Sequence, residues 1–187
     1  MSRCIGALLV IGTFTLLQLG SAAAEESADL APVRRERSIE VGATLVWPWI
    51  ASHDATVPLP SLRVGANISP RLAFDLTAGV LPHEANGRWS AFDLGARWFL
   101  GDGNASPYFM GRVGAFFDKA DEGSNRSYPY ATVGAGFEYA CRCGFVAWGE
   151  AGPALAGYTS GGPHSAAAAL YGSVGLGYRF GLHRQAD

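Results

Sequence analysis

Apolar residues recur at every second position in eight successive segments of this chain, between residues 39 and 180. In the first segment, Ile39, Val41 and Leu45 alternate with Glu40 and Gly42. A period of two is typical of a β-strand, whereas an amphipathic helix repeats about every 3.6 residues. The pattern predicts an all-β protein with eight strands, at 39–47, 62–68, 72–80, 92–100, 109–117, 131–139, 145–152 and 170–180.

The composition argues against several other classes of protein. Of the 187 residues, 49% are hydrophobic, yet no uninterrupted apolar run of about 20 residues, the length that a membrane helix needs, follows residue 24. The stretch 151–178 has no Asp, Glu, Lys or Arg, but two prolines and seven glycines break it. A charged fraction of 16% and a net charge of −2 disfavour both a disordered chain and nucleic-acid binding. The length suggests a single domain.

The first 24 residues have the features of a secretory signal peptide. Arg3 precedes the apolar stretch 5–17, and Ala22 to Ala24 form a small-residue cleavage site. A retained anchor helix is the alternative for this segment. We expect 25–37 to be a flexible leader, 38–181 to be the folded domain, and 182–187 to be a C-terminal tail.

The strand face opposite the apolar residues combines glycines and small polar residues with charges of both signs. An eight-stranded barrel has an interior only wide enough for side chains, so charges inside it would have to pair. With the apolar face turned to lipid, the pattern predicts an eight-stranded antiparallel up-and-down transmembrane β-barrel. A soluble lipocalin-like barrel is the alternative. The predicted interior ion-pair network comprises Glu40, Arg63, Asp75, Asp93, Arg97, Arg112, Glu138, Glu150 and Arg179.

Connector lengths and aromatic positions suggest how the barrel is oriented. Outer-membrane barrels have short periplasmic turns, longer exterior loops and an aromatic girdle at each interface. The long predicted connectors are 49–60, 82–89, 119–129 and 157–167, and the shorter ones are 69–71, 101–107 and 141–144. The predicted exterior girdle is Trp47, Trp49, Trp89, Tyr128, Tyr130 and Tyr158, and the periplasmic one is Trp98, Phe109, Tyr139, Phe145, Tyr178 and Phe180. This arrangement places both termini in the periplasm.

Two local features remain open on sequence grounds. Cys141 and Cys143 are separated by one residue, so a bond between them closes a strained ring, and we expect free thiols or a labile redox pair on a turn. Pro153 lies in the weakest predicted strand, where it is expected to end regular pairing or to mark a bulge.

The last strand resembles the C-terminal signal that the barrel-assembly machinery reads. It has a polar residue, a glycine two positions on, and aromatic residues at the last two outward positions: Ser173, Gly175, Tyr178 and Phe180. From about residue 38, the chain is similar to small eight-stranded outer-membrane proteins of the OmpA transmembrane-domain, OmpX and OmpW kind. The resemblance implies an outer-membrane location, contact with lipid and lipopolysaccharide, assembly by that machinery, and a closed or gated interior ion-pair network.

The leading hypothesis is a non-enzymatic outer-membrane barrel with a structural or surface-interaction role and a narrow gated passage closed by the interior ion pairs, and two other functions are alternatives to it. A lipid A acyl hydrolase or transferase resembling PagL or PagP would need a serine, a histidine and an acid held together. The candidates are His53 with Asp54, His83 with Glu84, and His164 with Ser165, all in predicted exterior loops. Loop-mediated adhesion through 49–60 or 119–129 is a further possibility, with no ligand identifiable. No catalytic residue, metal site, cofactor or nucleic-acid partner is expected.

Overall fold

The computed structural model describes residues 37–50, 58–82, 88–119, 125–141, 143–158 and 165–181. They form one closed barrel in which every strand pairs antiparallel with its neighbours and β1 pairs with β8. The strands are β1 (Ser38–Ile50), β2 (Leu59–Asn67), β3 (Leu72–Pro82), β4 (Arg88–Phe99), β5 (Ala105–Lys119), β6 (Asn125–Ala140), β7 (Phe145–Tyr158) and β8 (Ser165–Gly181). The predicted all-β, eight-stranded, up-and-down architecture is confirmed. Among the described residues, no helix is long and apolar enough to cross a membrane.

Strand ends differ from the prediction mainly at one end of the barrel; at the other end, β5 begins at Ala105 rather than at 109. At the first end, β6 begins at Asn125 rather than at 131, and β8 begins at Ser165 rather than at 170. In these extensions the alternation of apolar and polar residues fades, although the backbone ladder continues. The connectors at this end, the loop end, shrink to 51–58, 83–87, 120–124 and 159–164. At the opposite end, the turn end, they are 68–71, 100–104 and 141–144, so the loop-end connectors are still the longer set, but by less than predicted.

β7 passes through Pro153 without ending. Pairing with β6 is interrupted beside this proline, but Thr132 pairs with Ala154 and Ala135 with Ala151, so the register is the same on both sides. The Thr132 hydroxyl donates a hydrogen bond of 2.8 Å to the Pro153 carbonyl oxygen. A proline removes one donor from the ladder but leaves its carbonyl available. The prediction that regular pairing ends here therefore holds only locally, on the β6 side, and the unchanged register shows no bulge.

The two faces of the sheet have an inverted polarity. In β2, burial alternates without exception: the Leu62 side chain is 66% exposed on the outside, while the neighbouring Arg63 is 1% exposed inside. The same alternation places large apolar side chains outside along all eight strands. A soluble barrel has the opposite distribution, because its apolar side chains form the core.

An apolar layer with three tyrosines fills the loop end of the interior. This aromatic layer consists of Phe116, Tyr128, Tyr130 and Tyr171, all at most 6% exposed. Phe116 stacks on Tyr130 with ring centroids 4.8 Å apart, and Tyr130 lies 6.0 Å from Tyr171. Below this layer, toward the turn end, lie the charged side chains.

The exterior girdle prediction was therefore wrong for Tyr128 and Tyr130. Both share the parity of Thr132 and Glu138 in β6, so the alternation itself assigns them to the interior. Trp47 is half-buried. Trp89 is also half-buried, but it has the inward parity of Ala91 and packs against the interior apolar cluster, so the prediction was wrong for it as well. The side chains of the other two predicted members, 49 and 158, lie outside the described residues. At the turn end the predicted aromatics all point outward: Trp98, Phe109, Tyr139, Phe145, Tyr178 and Phe180.

Candidate functional site

Every strand contributes at least one charged side chain to the barrel interior, and β4 contributes two. Each of the nine has an exposure of 6% or less, although none is apolar. Period-two alternation explains this placement, because each charged residue has the parity of the inward face of its strand. The members are Glu40, Arg63, Asp75, Asp93, Arg97, Arg112, Glu138, Glu150 and Arg179.

Arg97 and Arg179 share two glutamates toward the turn end. The Arg97 guanidinium contacts Glu138 through Nη1 at 2.8 Å and Glu40 through Nη2 at 3.4 Å. Arg179 Nη2 contacts the second oxygen of each glutamate, at 2.7 Å for Glu138 and 2.8 Å for Glu40. Both carboxylates thus bridge two arginines.

Asp75 joins this group to the rest of the network. One carboxylate oxygen, Oδ2, lies 3.0 Å from both Arg97 Nε and Arg63 Nη2, and the other, Oδ1, lies 2.7 Å from Arg112 Nη2. The Arg112 guanidinium reaches two further acids, Asp93 Oδ1 at 2.5 Å and Glu150 Oε1 at 2.8 Å. All nine side chains therefore belong to one connected network.

Glycines opposite the charged residues provide the space that the network occupies. Asp75 pairs across the ladder with Gly65 on one side and with Gly95 on the other. A Cβ atom on Gly95 would lie 2.8 Å from Asp75 Oδ1 and 2.9 Å from Arg112 Nη1. Glycine at position 95 is thus a packing requirement of the ion pairs, whereas other inward glycines, such as Gly136, make room for uncharged side chains.

Hydroxyl groups of uncharged side chains donate further hydrogen bonds to the buried carboxylates. Tyr130 donates its hydroxyl to Asp93 Oδ2 at 2.9 Å, and Tyr108 donates to Glu150 Oε2 at 2.9 Å. The Ser173 hydroxyl donates to Glu150 Oε1, also at 2.9 Å. Charge-based reasoning missed these roles. Parity was the available signal, because Tyr108 and Tyr130 occupy the same alternating positions as the charged residues of their strands.

The network holds five carboxylates against four guanidinium groups, which leaves an excess of one negative charge in the interior. Within the described part of the chain, several guanidinium nitrogens nevertheless find no hydrogen-bond acceptor, among them Nε and Nη1 of Arg179. Arg63 also lies over the Trp148 ring, with its Cζ atom 4.6 Å from the ring centroid. Removing one partner from such a buried set leaves an uncompensated charge, which is costly.

The other predicted sites are placed differently. The candidate catalytic residues at 53–54, 83–84 and 164 lie outside the described residues, and of Ser165 only the backbone, at the start of β8, is described. Among the residues that the structure does describe, no group of three or more His, Cys, Asp or Glu is arranged to hold a metal ion.

The residues of the expected assembly signal lie on both faces of β8. Ser173 and Gly175 are on the inward face, where a Cβ atom on Gly175 would collide with the Trp148 ring. Tyr178 and Phe180 are exposed on the outside at the turn end, with ring centroids 4.9 Å apart.

The two cysteines are paired. Cys141 and Cys143 form a disulfide, with Cα atoms 5.3 Å apart, in the β6–β7 turn. Free thiols, one of the two expectations for this pair, are not the state in the structure.

Solved structures with the same architecture are small barrels. The N-terminal β-barrel domain of Pseudomonas aeruginosa OprF superposes with a TM-score of 0.53 at 17% identity, covering 78% of this chain and 98% of that one. This chain has the fold of the small eight-stranded outer-membrane barrels. Neisserial surface protein A gives a TM-score of 0.50 at 17% identity, covering 76% of this chain and 94% of that one. No family model and no curated protein matches the sequence. The barrel fold is therefore what these neighbours share with this chain.

Proposed function

We propose that this protein is an integral outer-membrane β-barrel with a closed interior and a structural or surface-interaction role. The observation that carries the proposal is the inverted polarity of the barrel. Apolar side chains cover the outside, while nine charged side chains are sealed inside. Lipid on the outside and ion pairs on the inside satisfy both faces.

The outward face supports lipid contact because it exposes more large apolar side chains than a surface in water normally does. Leu62, Val133 and Leu155 are each at least 66% exposed, and similar residues occur on every strand. Burial of one such side chain in an apolar phase is favourable by about 1.5–3 kcal/mol. A contiguous apolar band of this kind marks an interaction surface, and on a closed barrel with no free strand edge that surface suits a bilayer.

The inward face supports a closed barrel rather than an open channel. The ion-pair network spans all eight strands, and the aromatic layer covers it at the loop end. Porin-like channels need many more strands to leave an aqueous lumen. The network is thus the element that closes any narrow passage through this barrel.

The proposal assigns an orientation to the two ends. With 1–24 acting as a signal peptide and 25–37 as a periplasmic leader, the turn end and both termini face the periplasm. The loop end then faces lipopolysaccharide and the exterior. Tyr178 and Phe180, exposed at the turn end of β8, are positioned for reading by the barrel-assembly machinery during insertion.

Two measurements test the proposal. The protein should fractionate with outer membranes and migrate differently on a gel when it is not boiled, because a closed barrel resists detergent. A soluble, unshifted protein would contradict the location. In planar bilayers the purified protein should show no steady conductance, and a stable open state would contradict the closed interior.

A further inference from the structure

The β6–β7 turn carries a disulfide that takes no part in the interior ion-pair network. Cys141 and Cys143 are joined across a single residue at the turn end. Cys143 is exposed and Cys141 is half-buried. We propose that this disulfide is a redox-active site that exchanges two electrons with dithiols in the compartment that the turn end faces.

The turn is held in place by backbone hydrogen bonds, independently of the disulfide. The Cys141 amide donates to the Phe145 carbonyl oxygen at 2.9 Å, and the Gly144 amide donates to the Cys141 carbonyl oxygen at 3.1 Å. The Arg179 amide of β8 donates to the Gly144 carbonyl oxygen at 2.7 Å, which ties the turn to the neighbouring strand. Gly144 has a φ of 91°, which glycine adopts without strain. These three hydrogen bonds hold the turn without the sulfur bond.

The covalent bond also constrains the unfolded chain very little. A disulfide stabilises a protein mainly by closing a loop in the unfolded state, and the effect grows with loop length. Here the two cysteines are only two positions apart, so the loop that the bond closes is very short. Disulfides that are exposed, or that close strained rings, are the more oxidising and labile ones, whereas buried structural disulfides resist reduction. This bond has the properties of the first group.

The exchange proceeds in two balanced steps. A thiolate of the donor dithiol attacks Cys143 Sγ and forms a mixed disulfide, while the Sγ–Sγ bond breaks and Cys141 leaves as a thiolate that takes up a proton. The second donor thiol, as its thiolate, then attacks the donor sulfur of the mixed disulfide. Cys143 is released as a thiolate and is protonated, and the donor becomes a disulfide. The reverse steps, with a disulfide oxidant, restore the bond.

The fold favours attack of the donor thiolate at Cys143, and it also favours reoxidation of the two thiols afterwards. Cys143 is the exposed residue of the pair, so we expect an incoming thiolate to reach it more readily than the half-buried Cys141. After reduction, the hairpin hydrogen bonds keep the two Cα atoms close to their present 5.3 Å separation. Reoxidation is then an intramolecular step between two thiols that are already adjacent.

A redox titration of the full chain folded in phospholipid vesicles tests the site. The protein is equilibrated with mixtures of reduced and oxidised dithiothreitol, quenched in acid and alkylated, and the labelled thiols are counted by mass spectrometry. Half-reduction is expected at a reduced-to-oxidised ratio at least about 100-fold lower than that required by a long-loop structural disulfide in a reference protein. The gel shift of the unboiled barrel should persist in the reduced form. A disulfide as resistant as the reference, or loss of the folded band on reduction, would overturn the proposal.

Cysteine variants separate a redox site from a structural bridge. The Cys141→Ser variant, which retains Cys143, should form a mixed disulfide with oxidised glutathione at least about tenfold faster than the Cys143→Ser variant. Equal rates would refute Cys143 as the entry point. The double variant Cys141→Ser/Cys143→Ser should fold with the same yield and the same urea midpoint as the oxidised protein. Failure of the double variant to fold would show that the bond is a structural bridge.

Discussion

Replacing Arg97 by methionine removes the guanidinium that links the two glutamates near the turn end, Glu40 and Glu138, to Asp75 and the rest of the network. Arg97 is fully buried and contacts Glu138 at 2.8 Å, Asp75 at 3.0 Å and Glu40 at 3.4 Å. Breaking a buried ion pair by deleting one partner costs about 3–5 kcal/mol. Each of the three acids keeps at least one other arginine, so we expect the lower limit, a loss of about 3 kcal/mol in the free energy of unfolding.

The assay is equilibrium unfolding in urea from phospholipid vesicles, followed by tryptophan fluorescence and by the gel shift. Arg71→Ala is the matched control, because its ion pair with Asp102 is 4.0 Å long and both side chains are more than half exposed. Such a pair contributes about 0–1 kcal/mol. A double variant, Arg97→Met/Glu138→Gln, restores the interior charge and should recover about 1 kcal/mol. If Arg97→Met costs no more than Arg71→Ala, the network does not stabilise the barrel as we reason.

Three further predictions concern packing, lipid contact and assembly. Gly175→Ala should destabilise the barrel by about 1–3 kcal/mol in the same urea assay, since its Cβ would enter a packed indole. Gly172→Ala, whose nearest neighbour would be 3.9 Å away, should be nearly neutral, and equal costs would contradict this packing. Leu94→Arg, at mid-strand, should cost about 2–4 kcal/mol in vesicles, against about 0–1 for Leu100→Arg beside a turn; equal effects would argue against a lipid-facing exterior. Phe180→Ser should lower the amount of folded barrel in cells while leaving refolding of purified protein unchanged, and unchanged cellular yield would remove its signal role.

Alternation alone was sufficient to predict the closed barrel and the inward set of charges. A strand period of two assigns each residue to one face, and eight such strands with short connectors leave few other topologies. The burial of Glu40 and Arg179 on one face follows directly from this period. The identity of the pairs does not, because Glu40 faces Arg179 only in the register that closes β1 on β8.

The predictions that were wrong relied on signals other than the period. Tyr128 and Tyr130 were assigned to a girdle because they are aromatic and near a strand end, although their parity assigns them to the interior. Pro153 was expected to end regular pairing or to mark a bulge, but pairing with β6 is lost only beside it, while its pairing with Leu170 of β8 continues. The loop-end extensions were missed because apolar alternation is weak there. Backbone hydrogen bonding, which sequence does not display, determines where these strands end.

The closure of the barrel by β1 and β8 has a consequence for the order of folding. Arg179, on the last strand, bridges Glu40 on the first strand and Glu138 on the sixth. Until the last strand arrives, these two acids lack one of their two arginines, and the sheet has two open edges. Edge pairing and charge compensation are therefore completed in the same event. A chain that stops before β8 would keep two open sheet edges and would leave Glu40 and Glu138 each with one arginine fewer. Such a truncated chain is therefore expected to be less stable both at its backbone edges and in its interior.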